Sequence, residues 1–280
     1  FQAPGDERVG NGYSPQIRHA YGRVGPLLAG QTWSTFMTPC NLPDVNDFVG
    51  PVAATFVRQP QMRWTQPLGP VSVDVAVESP ESTLRGPDRK PKPPDDARLP
   101  DFVLRVGTSG AWGEVAMAGL LRELRSSGTV VAGVEDTAIA GGFNIAGKVA
   151  TWGKDDVRFS LEWGQGIGRY VGLNVFDDAS VDVAGHIAAI PVYGGFAAYR
   201  HVWTETLRSS LVYGYLTADP DPGSVPASTS REVQSVHVNL LWNPVTPFTI
   251  GPEYIWASRQ LESHASGHLD RFELSARFAF

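Results

Sequence analysis

Arginine residues recur in this 280-residue sequence at positions that alternate with apolar side chains. A guanidinium group stays charged across the physiological pH range and binds a carboxylate through two parallel hydrogen bonds. A row of such groups along a water-filled passage attracts anions without making or breaking bonds. The candidate anion-binding residues that this alternation selects are Arg63, Arg105, Arg122, Arg158, Arg208 and Arg277, with Arg58 as a weaker candidate at the point where a long loop ends.

Each of these arginines also has a structural explanation, which is pairing with an acidic residue of a solvated interior. The available partners are Glu78, Glu114, Glu162, Glu253 and Glu273. For any single arginine, pairing is the stronger expectation. For the whole set, an anion-attracting row and a paired row are both open. The formal net charge of −6 does not oppose such a row, because loops can carry the acidic residues.

The elements that must position these arginines are β-strands, because apolar and polar residues alternate with a period of two. In Val157–Trp163 the odd positions are apolar and the even positions are polar, and the same rhythm runs from Phe272 to the terminal Phe280. Many strands reach the roughly 9–11 residues that cross a bilayer at a tilt. About thirteen strands are predicted, near residues 17–24, 28–37, 58–66, 70–78, 101–108, 111–125, 138–152, 156–165, 189–203, 207–218, 232–243, 248–260 and 267–280.

The connections between these strands alternate between short and long. The long ones are predicted near residues 38–57, 79–100, 126–137, 166–188, 219–231 and 261–266. Outer-membrane barrels combine short periplasmic turns with longer extracellular loops. The fold class is therefore predicted as all-β, an antiparallel up-and-down transmembrane β-barrel, with residues 1–280 as a single domain. A soluble all-β domain is the alternative, and it would require the apolar faces to meet each other.

The number of strands leads to an expectation about the chain as a whole. The sequence begins with Phe1 and shows no leader segment. Single-chain bacterial barrels have an even number of strands, so an odd visible count implies that an odd number of N-terminal strands is missing or that the count differs from the true one by one strand. Three further strands would give about 16, and residues 1–16 would then lie outside the cell.

Two long connections have distinct compositions. Residues 38–57 contain Asp44, Asn46 and Asp47, followed by a largely apolar stretch that would be costly in water. We therefore expect this loop to fold into the barrel as a constriction, with a cap over a subunit contact as the alternative. Residues 79–100 are rich in proline and charge, which predicts a solvated external loop that packs no core.

Composition argues against several other functions. The acidic net charge and the lack of a basic stripe exclude nucleic acid as an expected partner. A single cysteine, Cys40, forms no internal disulfide, and neither a metal motif nor a cofactor motif is present. The six histidines are scattered without the serine or carboxylate context of a barrel hydrolase. We therefore expect neither an enzyme nor a cofactor.

One stretch resembles a known family. Arg18-His19-Ala20-Tyr21-Gly22 leads into a short turn, and the residues from Leu27 to Met37 (LLAGQTWSTFM) follow. With the later Leu42-Pro43-Asp44 and Arg58-Gln59-Pro60-Gln61, this pattern is similar to that of the DcaP-like porins over about residues 17–65. The resemblance implies a homotrimeric, 16-stranded porin of Gram-negative outer membranes that conducts small anions such as dicarboxylic acids.

The function expected from these observations is diffusion of small, dicarboxylate-like anions across the bacterial outer membrane, with membrane lipid around the barrel. The alternative is a structural or adhesin-like barrel with a plugged lumen. Small residues at lumen positions, such as Ala116, Ala118 and Ser160, leave room for water and favour the porin.

Overall fold

The computed structural model describes residues 17–92 and 97–279. The expected position of residues 1–16, the terminal Phe280 and residues 93–96 of the proline-rich segment lie outside these ranges. Two 3-10 turns occur in the described residues, at Pro39–Asn41 and Gly168–Tyr170. The strands there are, in chain order, β1 (Ala20–Val24), β2 (Leu27–Trp33), β3 (Arg58–Leu68), β4 (Val71–Glu78), β5 (Leu84–Arg85), β6 (Pro91–Lys92), β7 (Asp101–Gly110), β8 (Gly113–Val131), β9 (Val134–Ala150), β10 (Asp156–Gln165), β11 (Ala179–Val181), β12 (Ile187–Ala189), β13 (Pro191–Val202), β14 (Leu207–Ala218), β15 (Ser230–Asn239), β16 (Leu241–Val245), β17 (Phe248–Leu261) and β18 (Ser266–Phe278).

One large antiparallel sheet forms the wall. Its order is β1-β2-β3-β4-β7-β8-β9-β10-β13-β14-β15-β17, and β18 pairs with β17. The short β16 pairs with β14 and β17 and continues the line of β15. With β15 and β16 taken as one interrupted strand, the described wall has the thirteen strands that the sequence predicts. The all-β antiparallel barrel class is confirmed.

The two faces of the wall follow the predicted alternation. In β10, Leu161 and Trp163 are 58% and 63% exposed, whereas the intervening Glu162 is 3% exposed. Trp163 pairs in register with Phe143 of β9, and their rings stack with centroids 6.4 Å apart. Glu162 pairs with the buried Asn144. Apolar side chains therefore point outward to lipid and polar side chains point inward, as a membrane barrel requires.

The prediction of a long connection near residues 126–137 is wrong. β8 and β9 continue as a hairpin and are joined at residues 132–133, where Gly133 has φ of 76°. Glycine takes this left-handed conformation without steric cost, which permits a tight turn. The side chain of Arg125 also forms an ion pair with Glu135 across the hairpin, with Nη2 2.9 Å from Oε2.

A second, four-stranded sheet lies at the end of the wall where the long loops emerge, in the order β12-β11-β5-β6. It joins the proline-rich segment to the connection between β10 and β13. Leu84 of β5 is 1% exposed and packs with Leu124, Ala140 and Ala179. The expectation that residues 79–100 pack no core is therefore wrong at Leu84, because the covering partner comes from a distant loop.

Inside the wall, loop residues pack against inward-facing wall residues. Phe36, Ile167 and Tyr170 belong to one buried apolar cluster with wall residues such as Val192 and Leu216. Burial of these side chains holds the loops to the barrel at roughly 1.5–3 kcal/mol for each large group. Within the described ranges, no helix is long and apolar enough to span a bilayer.

Candidate functional site

The connection between β2 and β3, residues 38–57, runs inside the barrel, and we call it the inward loop. After the turn at Pro39–Asn41, the Asn41 Nδ2 donates to the backbone oxygen of Phe159 in β10 at 3.1 Å. Further along, the backbone nitrogen of Asn46 donates to Glu253 Oε2 of β17 at 2.5 Å. These two contacts join the inward loop to widely separated wall strands, so the loop crosses the lumen.

Asp44 fixes the middle of the inward loop. Its carboxylate accepts from Arg208 Nε at 2.5 Å and from Arg277 Nη2 at 3.3 Å, while its backbone oxygen accepts from Asn239 Nδ2 at 2.8 Å. Burial alone would raise the pKa of Asp44, but the hydrogen bonds and positive charges of Arg208 and Arg277 outweigh it and hold the pKa below its ordinary value. Asp47 lies 3.8 Å from Arg271 Nη1.

The returning limb of the inward loop runs back to β10 and to the turn at Gly168–Tyr170. Thr55 Oγ1 donates to Glu162 Oε1 at 2.9 Å, and the Phe56 backbone nitrogen donates to the Tyr170 backbone oxygen at 3.1 Å. Residues at both ends of the loop are thus fixed to the barrel. Six of these contacts use polar wall side chains and a seventh uses a wall backbone oxygen, which explains why the wall keeps a polar inner face here.

Cationic side chains surround the inward loop in the half of the barrel near the short turns. We call this set the basic belt. Its members lie on the strands from β3 to β18, in the middle or toward the short-turn end of each strand, and share the register of inward-facing wall residues; Arg277 lies opposite Thr249, beside the turn between β16 and β17. Its members are Arg63, Arg105, Lys148, Arg158, Arg200, Arg208 and Arg277.

The carboxylates of the belt are shared between several cations. Asp156 Oδ1 lies 2.7 Å from Arg158 Nε, and its Oδ2 lies 2.5 Å from Arg200 Nη2 and 3.9 Å from Lys148 Nζ. Arg105 pairs with Asp74 at 3.1 Å and Glu114 at 2.5 Å. Four carboxylates, Asp44, Asp74, Glu114 and Asp156, pair directly with members of the belt, which has seven cationic groups.

Arg63 differs from the rest of the belt. Its guanidinium forms neither an ion pair nor a hydrogen bond with the described residues, whereas every other member of the belt has an ion pair there. The neighbouring Asp74 is engaged with Arg105 and accepts from Thr65 Oγ1 at 2.6 Å. Arg63 therefore keeps its hydrogen-bonding capacity toward the lumen.

Arg122 was predicted to line the lumen, and the structure corrects this. Its side chain is fully buried between Asp101 and Asp178, with Nε 3.4 Å and Nη1 3.3 Å from their carboxylate oxygens. Nη1 also donates to the Gly166 backbone oxygen at 3.0 Å, and Nη2 donates to that of Glu81. The inward register was right, but loops that are remote in sequence cover the guanidinium, so it holds them to the wall.

The structure also corrects the prediction that Arg58 is a candidate lumen residue. In β3 the buried Gln59 and Gln61 point inward, and Arg58 shares the opposite register with the exposed Met62 and Trp64. Its guanidinium lies 3.5 Å from the centroid of the Trp33 ring. It therefore lies at the rim of the wall and outside the belt.

Sequence reasoning missed Lys148 and Arg200. Both lie in predicted strands, and simple alternation from Asn144 and from the buried Ala198 would have placed them inward. Arg200 was missed because it lies near the end of a predicted strand, and Lys148 was missed because only arginines were considered as lumen cations. Metal binding finds no support in residues 17–92 and 97–279, where no group of three His, Cys, Asp or Glu side chains is placed to hold an ion.

Solved structures with this arrangement are outer-membrane barrels. The outer membrane channel DcaP of Acinetobacter baumannii is 23% identical, with a TM-score of 0.83 over 95% of this chain and 75% of that one. In vitro folded OmpT, an outer membrane protein of Vibrio cholerae, is 12% identical, with a TM-score of 0.54 over 90% and 75%. An anion-selective porin from Comamonas acidovorans is 8% identical, with a TM-score of 0.51 over 89% and 71%. No protein of curated function matched the chain.

A polar interior, a lipid-facing apolar surface and an inward loop define an outer-membrane porin. The DcaP outer membrane protein family matches residues 1–280. The chain belongs to this family, and its location is the bacterial outer membrane.

Proposed function

We propose that this porin conducts small anionic solutes, of which dicarboxylates are the expected class. The observation that supports the proposal is the basic belt, in which four carboxylates pair directly with the set of seven cationic groups and leave Arg63 without an ion pair among the described residues. A solute carboxylate passing the belt can replace water at a guanidinium and exchange between neighbouring cations. Binding of this kind is weak at each site, which lets the solute leave as well as enter.

Arg63 is the residue at which this selectivity is most directly testable. It lacks the carboxylate partners that neutralise other members of the belt, so its charge acts on the permeating ion. A unit charge about 4 Å from an ion contributes about 1 kcal/mol in water, which corresponds to about fivefold in relative permeability.

The experiment compares Arg63→Gln with Arg63→Lys in planar bilayers under a potassium chloride gradient. Arg63→Gln should lower the chloride-to-potassium permeability ratio by about three- to fivefold, because it removes the charge. Arg63→Lys keeps the charge and should stay close to the wild type. Equal ratios in all three proteins would remove Arg63 from the permeation pathway.

A second candidate function is a structural or adhesin-like barrel with a plugged lumen. The buried cluster that includes Phe36, Ile167 and Tyr170 favours it, because loop side chains fill part of the interior. This candidate predicts no conductance steps for the wild-type protein, whereas the porin predicts open channels without any substitution.

We also propose a homotrimer, on the basis of the family resemblance. Chemical cross-linking of the protein in native outer membranes should give a ladder that ends at three copies. A ladder that stops at one copy would oppose this assembly.

A further inference from the structure

Three basic side chains meet where β1 and β3 approach the long-loop end of the wall, and we call this group the arginine rim. It consists of Arg18, His19 and Arg58. The Arg58 Nε lies 3.4 Å from His19 Nε2, and the Arg18 guanidinium carbon lies 5.1 Å from the centroid of the Phe48 ring. The group lies at the opposite end of the barrel from the basic belt.

Aromatic faces hold both guanidinium groups in place. Arg58 lies 3.5 Å from the Trp33 centroid and 5.0 Å from the Phe56 centroid. Trp33 and Phe56 contact each other edge to face at 4.7 Å. Stacking orients a guanidinium plane and leaves its edge, with the terminal N–H groups, available for an oxyanion.

The histidine acts as a neutral link between the two arginines. Because Arg58 Nε donates to His19 Nε2, the ring proton belongs on Nδ1, which donates to Thr32 Oγ1 at 3.0 Å. Partial burial and the nearby charges of Arg58 and Arg18 lower the pKa of His19. His19 therefore supports the geometry without adding a third charge.

Carboxylates do not neutralise this rim within the described residues. Neither Arg18 nor Arg58 takes part in an ion pair there, whereas Arg105, Arg158, Arg200 and many others do. Two like charges held close together repel each other, and an anion bound between them relieves that repulsion. Thr32, which contacts His19, has the inward register, whereas Arg58 has the outward register, so the arginine rim lies across the top edge of the wall at the long-loop end.

We propose that Arg18 and Arg58 form an anion-collecting site at the long-loop mouth of the channel, which binds a solute carboxylate before the solute reaches the basic belt. This inference rests on the proposed porin function and adds a second, separate site to it. A fixed charge at a channel mouth raises the local concentration of counter-ions. Its effect depends on ionic strength, because the Debye length is about 30 Å at 0.01 M salt and about 3 Å at 1 M.

The test is single-channel conductance of the double variant Arg18→Gln/Arg58→Gln, measured in 10 mM and in 1 M potassium chloride and repeated with potassium malonate as a dicarboxylate probe. We expect about a twofold loss of conductance at 10 mM and little change at 1 M. The loss should be larger when anions enter from the long-loop side. Arg18→Lys/Arg58→Lys should retain the wild-type conductance.

The matched control is Lys154→Gln, which removes a charge of the same sign at the short-turn end. Lys154 lies in the turn between β9 and β10, where its exposed Nζ pairs with Glu205 Oε1 at 2.7 Å. It should leave conductance from the long-loop side unchanged. Equal conductance of the double Gln variant and the wild type at 10 mM would overturn the proposed site.

Failure of this inference is distinguishable from failure of the porin proposal. If the arginine rim has no role, the wild type remains anion-selective, and the double Gln variant has the wild-type conductance at 10 mM salt. If the channel prefers cations at both salt concentrations, the proposed function itself is wrong. Heat-dependent mobility on gels identifies the variants that fold. If the double Gln variant does not fold, the double Lys variant is the one that is measured.

Discussion

The two halves of the lumen use the same alternating wall for different purposes. In the short-turn half, the basic belt shares a few carboxylates, from the buried Asp156 to the partly exposed Glu114, among several cations. In the long-loop half, buried carboxylates such as Glu78, Asp101 and Asp178 are satisfied by loop groups and by Arg122. Inward position therefore does not by itself make a residue part of a channel. The packing of loops decides whether an inward charged side chain is accessible to the solute or is buried and holds a loop to the wall.

The largest expected effect comes from Arg122→Met. This change leaves Asp101 and Asp178 buried without their cation, which costs about 3–5 kcal/mol for a broken buried pair. Urea unfolding monitored by protease sensitivity of residues 166–181 measures the loss. Arg105→Met is the matched comparison in the belt and should cost less while lowering anion preference. A small stability loss for Arg122→Met would erase the contrast between the halves.

A smaller effect is expected for Asp44→Asn, which weakens the contacts of the inward loop with Arg208 and Arg277. Loss of these charge-assisted hydrogen bonds should lower the stability of the inward loop by about 1.5–3 kcal/mol. Removal of a negative charge from the belt should also raise the chloride-to-potassium permeability ratio. Channel noise and reversal potential report the two effects. A lowered anion preference would contradict the placement of Asp44 in the pathway.

Acid should loosen the same loop in the wild type. Because the folded-state pKa of Asp44 lies below 3.8, its contribution to loop stability is fully present above pH 3.8. That contribution is lost as the pH falls through the lowered folded-state pKa. Channel noise should therefore rise on acidification in the wild type and change less in Asp44→Asn. Identical acid responses in both proteins would exclude Asp44 as the titrating group.

The smallest effect is expected for Glu135→Gln, which removes one negative charge outside the lumen. Glu135 is half exposed and pairs with Arg98 and Arg125 on the extended hairpin. Exposed pairs contribute about 0.2–1 kcal/mol, so stability should change little. The permeability ratio should remain at the wild-type value, in contrast with Asp44→Asn. An equal rise in both variants would mean that net charge, and not position, controls selectivity.

The wall was predictable because every strand residue faces either lipid or the lumen, so a period of two is imposed along its length. The same rule gave the inward register of Arg105, Arg158 and Arg208. It failed where that constraint ends. The β8–β9 hairpin continues beyond its expected end, and Leu84 is buried by a segment far away in sequence.

Burial by loops was also beyond the sequence pattern. Nothing near Arg122 indicates that Asp178 and the Gly166 oxygen reach it from another connection. The apolar composition of residues 38–57 predicts a loop that leaves solvent, but the pairing of Asp44 with two arginines depends on how the wall strands are arranged. Long-range contacts of this kind follow from the fold and not from local alternation.

The central claim is that the basic belt makes this porin prefer anions. The most direct measurement is the sign of the zero-current potential of the wild-type channel with a tenfold potassium chloride gradient. We predict the sign given by chloride as the more permeant ion, with its magnitude reduced in Arg63→Gln. A potential of the opposite sign, set by potassium, would contradict the claim.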